Sequence, residues 1–379
     1  MKKLLLNYVY WSPVGHVLEA IKYARGFYES NKNIEISVIL NKDSPLELIK
    51  LFPWIKKTYS IDLKSKNQNL EKFNKKWDYI VTDKRARDLY AMSHEMKKFH
   101  EKFFKEVSPR IWKGYTNYWK VGEESPLNYI PNTKISPEIP KNTKKSIERK
   151  IKSRKNICVL LGGSSSPGRY PPIDSWIDLL KKLKKRFPQY NLIITGVLKN
   201  NSGRTFTRAY GLKEIEKLKK AIPDIIDMYN IGLINQIELV KVSNLFISPH
   251  TGFGFISQVV GTPWLTISGG DWPEYFLNDT AFYSAIENLK YYPAYTFQNK
   301  PSKHHRRKLR KYLGFDDRNM RKRSKDILKG AKLLLEDKMD YKNSVKLHKM
   351  KLKKSKFKIG SFFFFDDIIK IKGLKKWLK

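Results

Sequence analysis

The sequence predicts an α/β protein built from two Rossmann-like domains that face each other across a cleft, followed by a basic helical tail. Three observations carry that prediction. Short apolar runs of strand length alternate with amphipathic stretches at helical spacing in both halves of the chain. The alternation breaks once, in a stretch rich in proline and lysine. Residues 244–268, NLFISPHTGFGFISQVVGTPWLTIS, read as a whole strand–loop–helix–strand crossover whose two strands should be parallel neighbours. At 379 residues and 41% hydrophobic composition, the chain has enough apolar material for two cores.

In the first half, Leu4 to Trp11 reads as a strand and Ser12 to His16 as a loop. Val17 to Ser30 is an amphipathic helix with Val17, Ile21, Ala24 and Tyr28 on one face. Ile34 to Leu40, Thr58 to Ile61 and Tyr79 to Thr82 are further strands, with a helix-like stretch near Ser44 to Phe52. These elements define a first domain over 1–116. Residues 117–156 contain Pro126, Pro131, Pro137 and Pro140 and then KNTKKSIERKIKSRKN, and read as a linker that is helical in part.

The alternation restarts in a second domain over 157–300. Strands are expected at Ile157 to Leu161, Leu192 to Gly196, Ile225 to Tyr229, Asn244 to Ser248 and Trp264 to Ser268. Helices are expected at Ile173 to Phe187, Glu214 to Ala221, Gln236 to Ser243 and around Phe255 to Val260, the last stopped by Gly261-Thr262-Pro263. A tail over 301–379 completes the chain, with Ile327 to Leu335 its best-formed helix.

The formal net charge is +40, and the last 79 residues hold 27 Lys and Arg against 8 Asp and Glu. Such a surplus concerns partners rather than fold. In the tail, lysines mix with Phe362 to Phe365, Ile368, Ile369, Ile371, Leu374, Trp377 and Leu378, which suits an anionic membrane surface; a packed helix with solvated lysines is the plainer alternative. No window reaches the ~18 consecutive apolar residues of a spanning helix. Cys158 is the single cysteine, placed in a strand, which excludes an intramolecular disulfide framework and fits a cytoplasmic protein.

Three loops, each after a strand, carry candidate chemistry. Gly163, Ser164, Ser165 and Arg169 follow the first strand of the second domain, where glycines and hydroxyls can cradle a phosphate and an arginine can pair with it. His250, Thr251, Gly252 and Gly254 follow its fourth strand and lead into a helix, a place where backbone N–H groups favour an anion. Gly196 closes the second strand at the same edge, and Asp271 and Glu274 are candidates by position for ribose or sugar contacts. The third loop ends at His16, a candidate to take a proton from a hydroxyl nucleophile, with Asp83, ending the strand YIVTD, as the rival base. There is no Asp-x-Asp pair for a metal-bound diphosphate, no GxxxxGK[ST] loop and no GxGxxG after a strand. No metal and no cofactor is therefore expected.

These residues resemble those of the heptosyltransferase-type glycosyltransferases of lipopolysaccharide assembly, which have two Rossmann-like domains in the GT-B arrangement. The resemblance covers roughly 155–290: a strand, a Gly/Ser loop, prolines and a helix in ICVLLGGSSSPGRYPPIDSWIDLLKKL, then SPHTGFGFISQVVGTPWLTISGG. In the second stretch Thr251, Gly252, Gly261, Thr262 and Pro263 fall in place. His250 stands where that family has Asp and Phe255 where it has His, which implies altered donor contacts at both positions. Gly15-His16 is similar to the Gly-His that opens the first helix of other GT-B enzymes, on the acceptor side. The resemblance implies metal-independent, inverting transfer of a sugar from a nucleotide-diphosphate donor to a hydroxyl of a cell-surface glycan or glycolipid. It also gives the basic tail a purpose on the inner face of the membrane.

Two other readings compete. A pI near 9.9 with interleaved aromatics such as Tyr291, Tyr292 and Tyr295 would suit a nucleic-acid-binding protein, although no DNA- or RNA-binding motif accompanies them. A sugar-nucleotide epimerase or hydrolase would keep the fold and change the reaction.

Overall fold

The computed structural model describes residues 1–9, 12–63, 65, 70, 73, 77–82, 98–99, 101–103, 111–112, 114–115, 127–130, 133–151, 155–163, 170–198, 207, 210–249, 251–268, 275–276, 278–286, 317–353 and 363–364. The chain forms two compact units. Of the described residues, those up to Glu138 form the first and those from Ile139 onward form the second.

The first unit runs β1 (Lys2–Asn7), α1 (Val14–Ser30), β2 (Ile34–Asn41), a 3-10 helix (Leu46–Leu51), β3 (Ile55–Ile61), β4 (Tyr79–Thr82), β5 (Ile111–Trp112) and β6 (Gly114–Tyr115). The strands form one parallel sheet in the order β3-β2-β1-β4-β5, with β6 also paired to β4. The helix begins three residues before the sequence pattern places it. Pro13, with φ −62° and an extended ψ of 152°, opens it, and the His16 amide donates to the Pro13 carbonyl. His16 thus belongs to the first turn of the helix rather than to the loop before it. Val17, Ile21 and Ala24 are buried as expected, whereas Tyr28 is 37% exposed, its ring beside the Arg25 guanidinium. Within helical geometry Tyr28 lies at the end of the stripe, where the chain turns back into β2.

The second unit runs α2 (Lys141–Ile151), β7 (Asn156–Leu160), α3 (Ile173–Arg186), β8 (Asn191–Gly196), α4 (Leu212–Ala221), β9 (Ile226–Tyr229), α5 (Leu233–Lys241), β10 (Leu245–Pro249), α6 (Gly254–Val259), β11 (Trp264–Ser268), β12 (Tyr275–Phe276), β13 (Phe282–Ile286), α7 (Asp317–Leu335), α8 (Tyr341–Lys353) and β14 (Phe363–Phe364). Its main sheet is parallel throughout in the order β13-β11-β10-β7-β8-β9, and β12 pairs separately with β14. Burial on both faces explains why these strands read as continuous apolar runs. Ile157, Val159, Leu245, Ile247, Leu265 and Ile267 share one core with Trp176 and Leu180 of α3 and Leu218 of α4. In register on the other face, Cys158, Phe246, Trp264 and Phe282 are 0–1% exposed. Local signals set the helix starts: Glu214 at the third position of α4 reaches back to the Gly211 amide at 2.7 Å.

Two stretches that look solvated in sequence are built into this unit. The lysine-rich α2 buries Ile147 and Ile151. From the expected tail, Ile327, Ala331 and Leu334 of α7 enter the core cluster, and the Tyr283 hydroxyl of β13 donates to Asp326 at 2.5 Å. Lys351 of α8 donates to the Ser284 carbonyl at 2.9 Å, with its ammonium 3.8 Å from the Tyr283 ring centre. Of the other apolar residues expected in the tail, Phe362, Phe365, Ile368, Ile369, Ile371, Leu374, Trp377 and Leu378 lie outside the described residues. Among the described residues no helix is long and apolar enough to cross a membrane.

Two outcomes follow from this packing. In a solvated helix, Gly330→Ala would gain about 1 kcal/mol of helix propensity. Here a methyl group would run into the Tyr283 ring, its Cγ only 2.6 Å away, so the variant should lose about 1–3 kcal/mol, read as a lower urea midpoint. Glu238 of α5 is 1% exposed, and among the described residues neither carboxylate oxygen has a hydrogen-bond partner. Burial raises its pKa, against the opposing pull of Lys241 and Lys144. A carboxyl raised on folding contributes stability below the unfolded value of about 4.3, and that contribution is lost as pH rises through the folded value. Glu238→Gln should therefore stabilise the protein at pH 7, with the gain vanishing below about pH 4.

Candidate functional site

In the second unit the chain leaves β7 for β8 and β9 on one side, then returns past β7 to β10, β11 and β13 on the other. The reversal lies between β7 and β10, and at such a point the two following loops splay apart to leave a crevice outside the strand ends. The loop opening at Gly162 and Gly163 follows β7, and that opening at Thr251 follows β10. The two meet: a methyl group on Gly163 would stand 2.9 Å from Thr251 Cγ2 and 2.9 Å from the Tyr170 hydroxyl. Only a residue without a side chain leaves room here for the Thr251 methyl and the Tyr170 hydroxyl.

The far end of the first loop is fixed as well. The Tyr210 hydroxyl donates to the Pro171 carbonyl at 2.5 Å and accepts from Trp176 Nε1 at 3.0 Å. Burial pushes that phenol well above its usual range, with the Trp176 hydrogen bond pulling it down, so it stays protonated as the donor. Pro172 then opens α3 in an extended conformation, as Pro13 opens α1. Gly163 and Tyr170 therefore anchor the two ends of the Gly/Ser stretch. Ser164, Ser165 and Arg169 themselves lie outside the described residues, as do His250, Asp271, Glu274 and Asp83.

In the second loop, Thr251 is 8% exposed and its hydroxyl oxygen accepts from the Gly254 amide at 3.2 Å, while its carbonyl accepts from the same amide at 2.9 Å. This closes a tight turn at Thr251, leaves its O–H able to donate, and leaves Gly252 half-buried on the turn. The helix that follows is short, six residues, so the dipole expected to favour an anion there is small. Gly254 has a packing reason: a side chain there would strike the Trp264 indole, whose Nε1 donates to Ser248 Oγ at 3.0 Å. Gly196 is likewise structural in its contacts, its carbonyl accepting from the Asn230 amide at 2.9 Å and from Gln236 Nε2 at 2.7 Å. Neither role was legible in the sequence, because Trp264 and Gln236 reach these glycines only through the fold.

The first unit repeats the topology in smaller form. β1 lies between β2 and β4, so its reversal falls between β1 and β4. Asn7 pairs with Thr82 at the carboxyl ends of those two strands. The loop into α1, and the chain leaving β4 toward position 83, both start from this edge. His16 is partly exposed, 30% by side chain, and its Nδ1 stands 2.8 Å from Glu19 Oε2. The same oxygen accepts from the Tyr8 hydroxyl at 2.5 Å, and Glu19 and Tyr8 are 5% and 0% exposed. The sequence reading singled out His16 and missed Glu19 and Tyr8. The signal for Glu19 was present as an i, i+3 spacing on a helix; Tyr8 lies just past the end of β1, and only the fold brings its hydroxyl to Glu19.

The Gly163–Thr251 approach is open to a direct test. Gly163→Ala should cost about 1–3 kcal/mol of stability by overpacking, and Gly163→Ala with Thr251→Ser should recover part of it, because serine lacks the Cγ2 methyl in the way. Chemical denaturation of the single and paired variants reads both values.

No protein-family model matches the chain, and no curated protein matches it in sequence. Solved structures do match. The glycosyl transferase family 9 protein from Veillonella parvula DSM 2008 aligns with a TM-score of 0.60 at 13% identity, over 89% of this chain and 97% of that one. The E. coli ADP-heptose lps heptosyltransferase II aligns with a TM-score of 0.50 at 12% identity, over 73% of this chain and 87% of that one. At these identities the likeness concerns the fold, and the chain has the two-Rossmann, GT-B type of fold that these proteins share.

Proposed function

We propose that the protein is a metal-independent glycosyltransferase that moves a sugar from a nucleotide-diphosphate donor to a hydroxyl of a cell-surface glycan or glycolipid, with inversion. The observation that carries this reading is the meeting of the Gly163 and Thr251 loops at the chain reversal of the second unit. Two loops opening on one crevice offer backbone N–H groups and the Thr251 hydroxyl to a diphosphate, and Ser164, Ser165 and Arg169 are assigned to the same anion. The fold shared with two sugar transferases supports the choice of donor class.

In this reading the first unit supplies the base. The acceptor hydroxyl gives its proton to His16, its oxygen forms the new bond to the anomeric carbon, and the bond from that carbon to the diphosphate oxygen breaks. The electron pair leaves with the nucleoside diphosphate, whose charge the loop donors and Arg169 stabilise. Positioning and this electrostatic stabilisation supply the rate enhancement. The basic carboxyl-terminal region, 27 Lys and Arg in 301–379, brings the enzyme to an anionic membrane surface where a lipid-linked acceptor resides.

A thermal-shift screen of the full chain with nucleoside diphosphates and nucleotide sugars, without and with Mg²⁺, tests the donor site. A ligand at 100 times its Kd adds about 2.7 kcal/mol to stability. One nucleotide class should raise Tm without Mg²⁺, and Arg169→Ala and Thr251→Val should each weaken its binding about tenfold, the scale of a lost hydrogen bond to a charged group. No shift with any nucleotide, together with tight and sequence-selective binding of DNA or RNA, would overturn the transferase reading. Donor turnover unaffected by any acceptor would replace it with an epimerase or hydrolase.

A further inference from the structure

A carboxylate inside the fold is costly unless its oxygens are paired. Glu19 is 5% exposed, and one of its oxygens takes hydrogen bonds from two sides, the Tyr8 phenol at 2.5 Å and the His16 ring at 2.8 Å. An ordinary i, i+3 pair on a helix surface is solvated and worth about 0–1 kcal/mol. This one is different in kind, because its carboxylate is withdrawn from water and its second partner, Tyr8, is a fully buried residue directly after β1. Tyr8 is itself held: its amide continues the sheet by donating to the Ile39 carbonyl at 2.9 Å, and its ring lies 6.2 Å from that of Tyr23.

We propose that Glu19, anchored by Tyr8, is the positioning residue of the first unit: it fixes the His16 proton on Nδ1, so that Nε2 carries the lone pair that takes the acceptor's proton. A carboxylate oxygen only accepts, so the ring nitrogen facing it must be the donor. The opposite nitrogen is then the basic one, and the carboxylate balances the positive charge that appears on the ring once the proton has moved. A base oriented by a third group is the general logic of an activated hydroxyl nucleophile. The use of the base rests on the transferase reading above, whereas the tautomer does not.

The test is long-range ¹H–¹⁵N correlation of the seven histidine rings in the full chain, with His16→Asn assigning the His16 signals. The unaltered protein should show the Nδ1–H tautomer. Glu19→Gln should introduce the Nε2–H form, because an amide can donate as well as accept, and Glu19→Asp, whose shorter side chain withdraws the carboxylate, should do the same and serves if the glutamine variant does not fold. Tyr8→Phe should keep Nδ1–H, since the carboxylate remains. With the donor identified by the shift screen, Glu19→Gln should lower kcat about 10- to 100-fold, the scale of lost outer-sphere support, and leave KM for the donor within about twofold. A His16 ring in the Nε2–H form, or a tautomer unchanged by both Glu19 variants, would overturn the positioning role. Nδ1–H with no nucleotide binding would instead overturn the transferase reading alone.

Discussion

The close approach of Gly163 to Thr251 depends on one constraint, the parallel pairing of β7 with β10 in the middle of the second sheet. Strands that are neighbours in space but have two other strands of the sheet between them in sequence can pair only if the chain reverses between them. Every part of the second unit serves that arrangement. The β9-to-β10 connection crosses back over the sheet with α5, Thr262 and Trp264 tie the returning turn to Val240 and Ser248, and the strand apexes are buried on both faces. The meeting of the two loops is therefore a consequence of strand order, and Gly163 is there because the meeting point is crowded.

The same logic operates in the first unit with different chemistry at the edge. There the reversal lies beside β1, and α1 follows it directly after Pro13. The second unit offers hydroxyls and amides at this position, which suit an anion; the first offers an imidazole backed by a buried carboxylate, which suits proton transfer. One fold repeated twice thus presents different side-chain chemistry at its two reversals, and the proposed transfer reaction draws on both.

The net charge of +40 divides between structure and surface. Some of the cations are structural: Lys351 is held by Ser284 and Tyr283, and the Arg323 guanidinium by the Ala285 carbonyl. Others form exposed pairs such as Lys42 with Asp62 and Lys217 with Asp174, each of small energetic value. The lysine count on its own thus overstates how much of α7 and α8 is available to a partner, because these helices also complete the core of the second unit.

The sequence by itself determined the elements and the class of fold. Period-two and period-3.6 apolar patterns are local, and so the strands at Tyr79–Thr82 and Trp264–Ser268 and the helix at Ile173–Arg186 were legible to within a residue. The candidate loops were legible too, since glycine and hydroxyl residues after a strand are a local signal. Tertiary structure decided the rest, for a reason common to every case: the deciding partner is remote in sequence. Gly254 is small because of Trp264, α7 is core rather than tail because of Tyr283 and the strands beside it, and His16 gains its orientation from Glu19 only because Tyr8 and the strand behind it bury that carboxylate. Local pattern fixes what a segment becomes, whereas burial and hydrogen bonding, which set the chemistry of a side chain, depend on which segments the sheet order brings together.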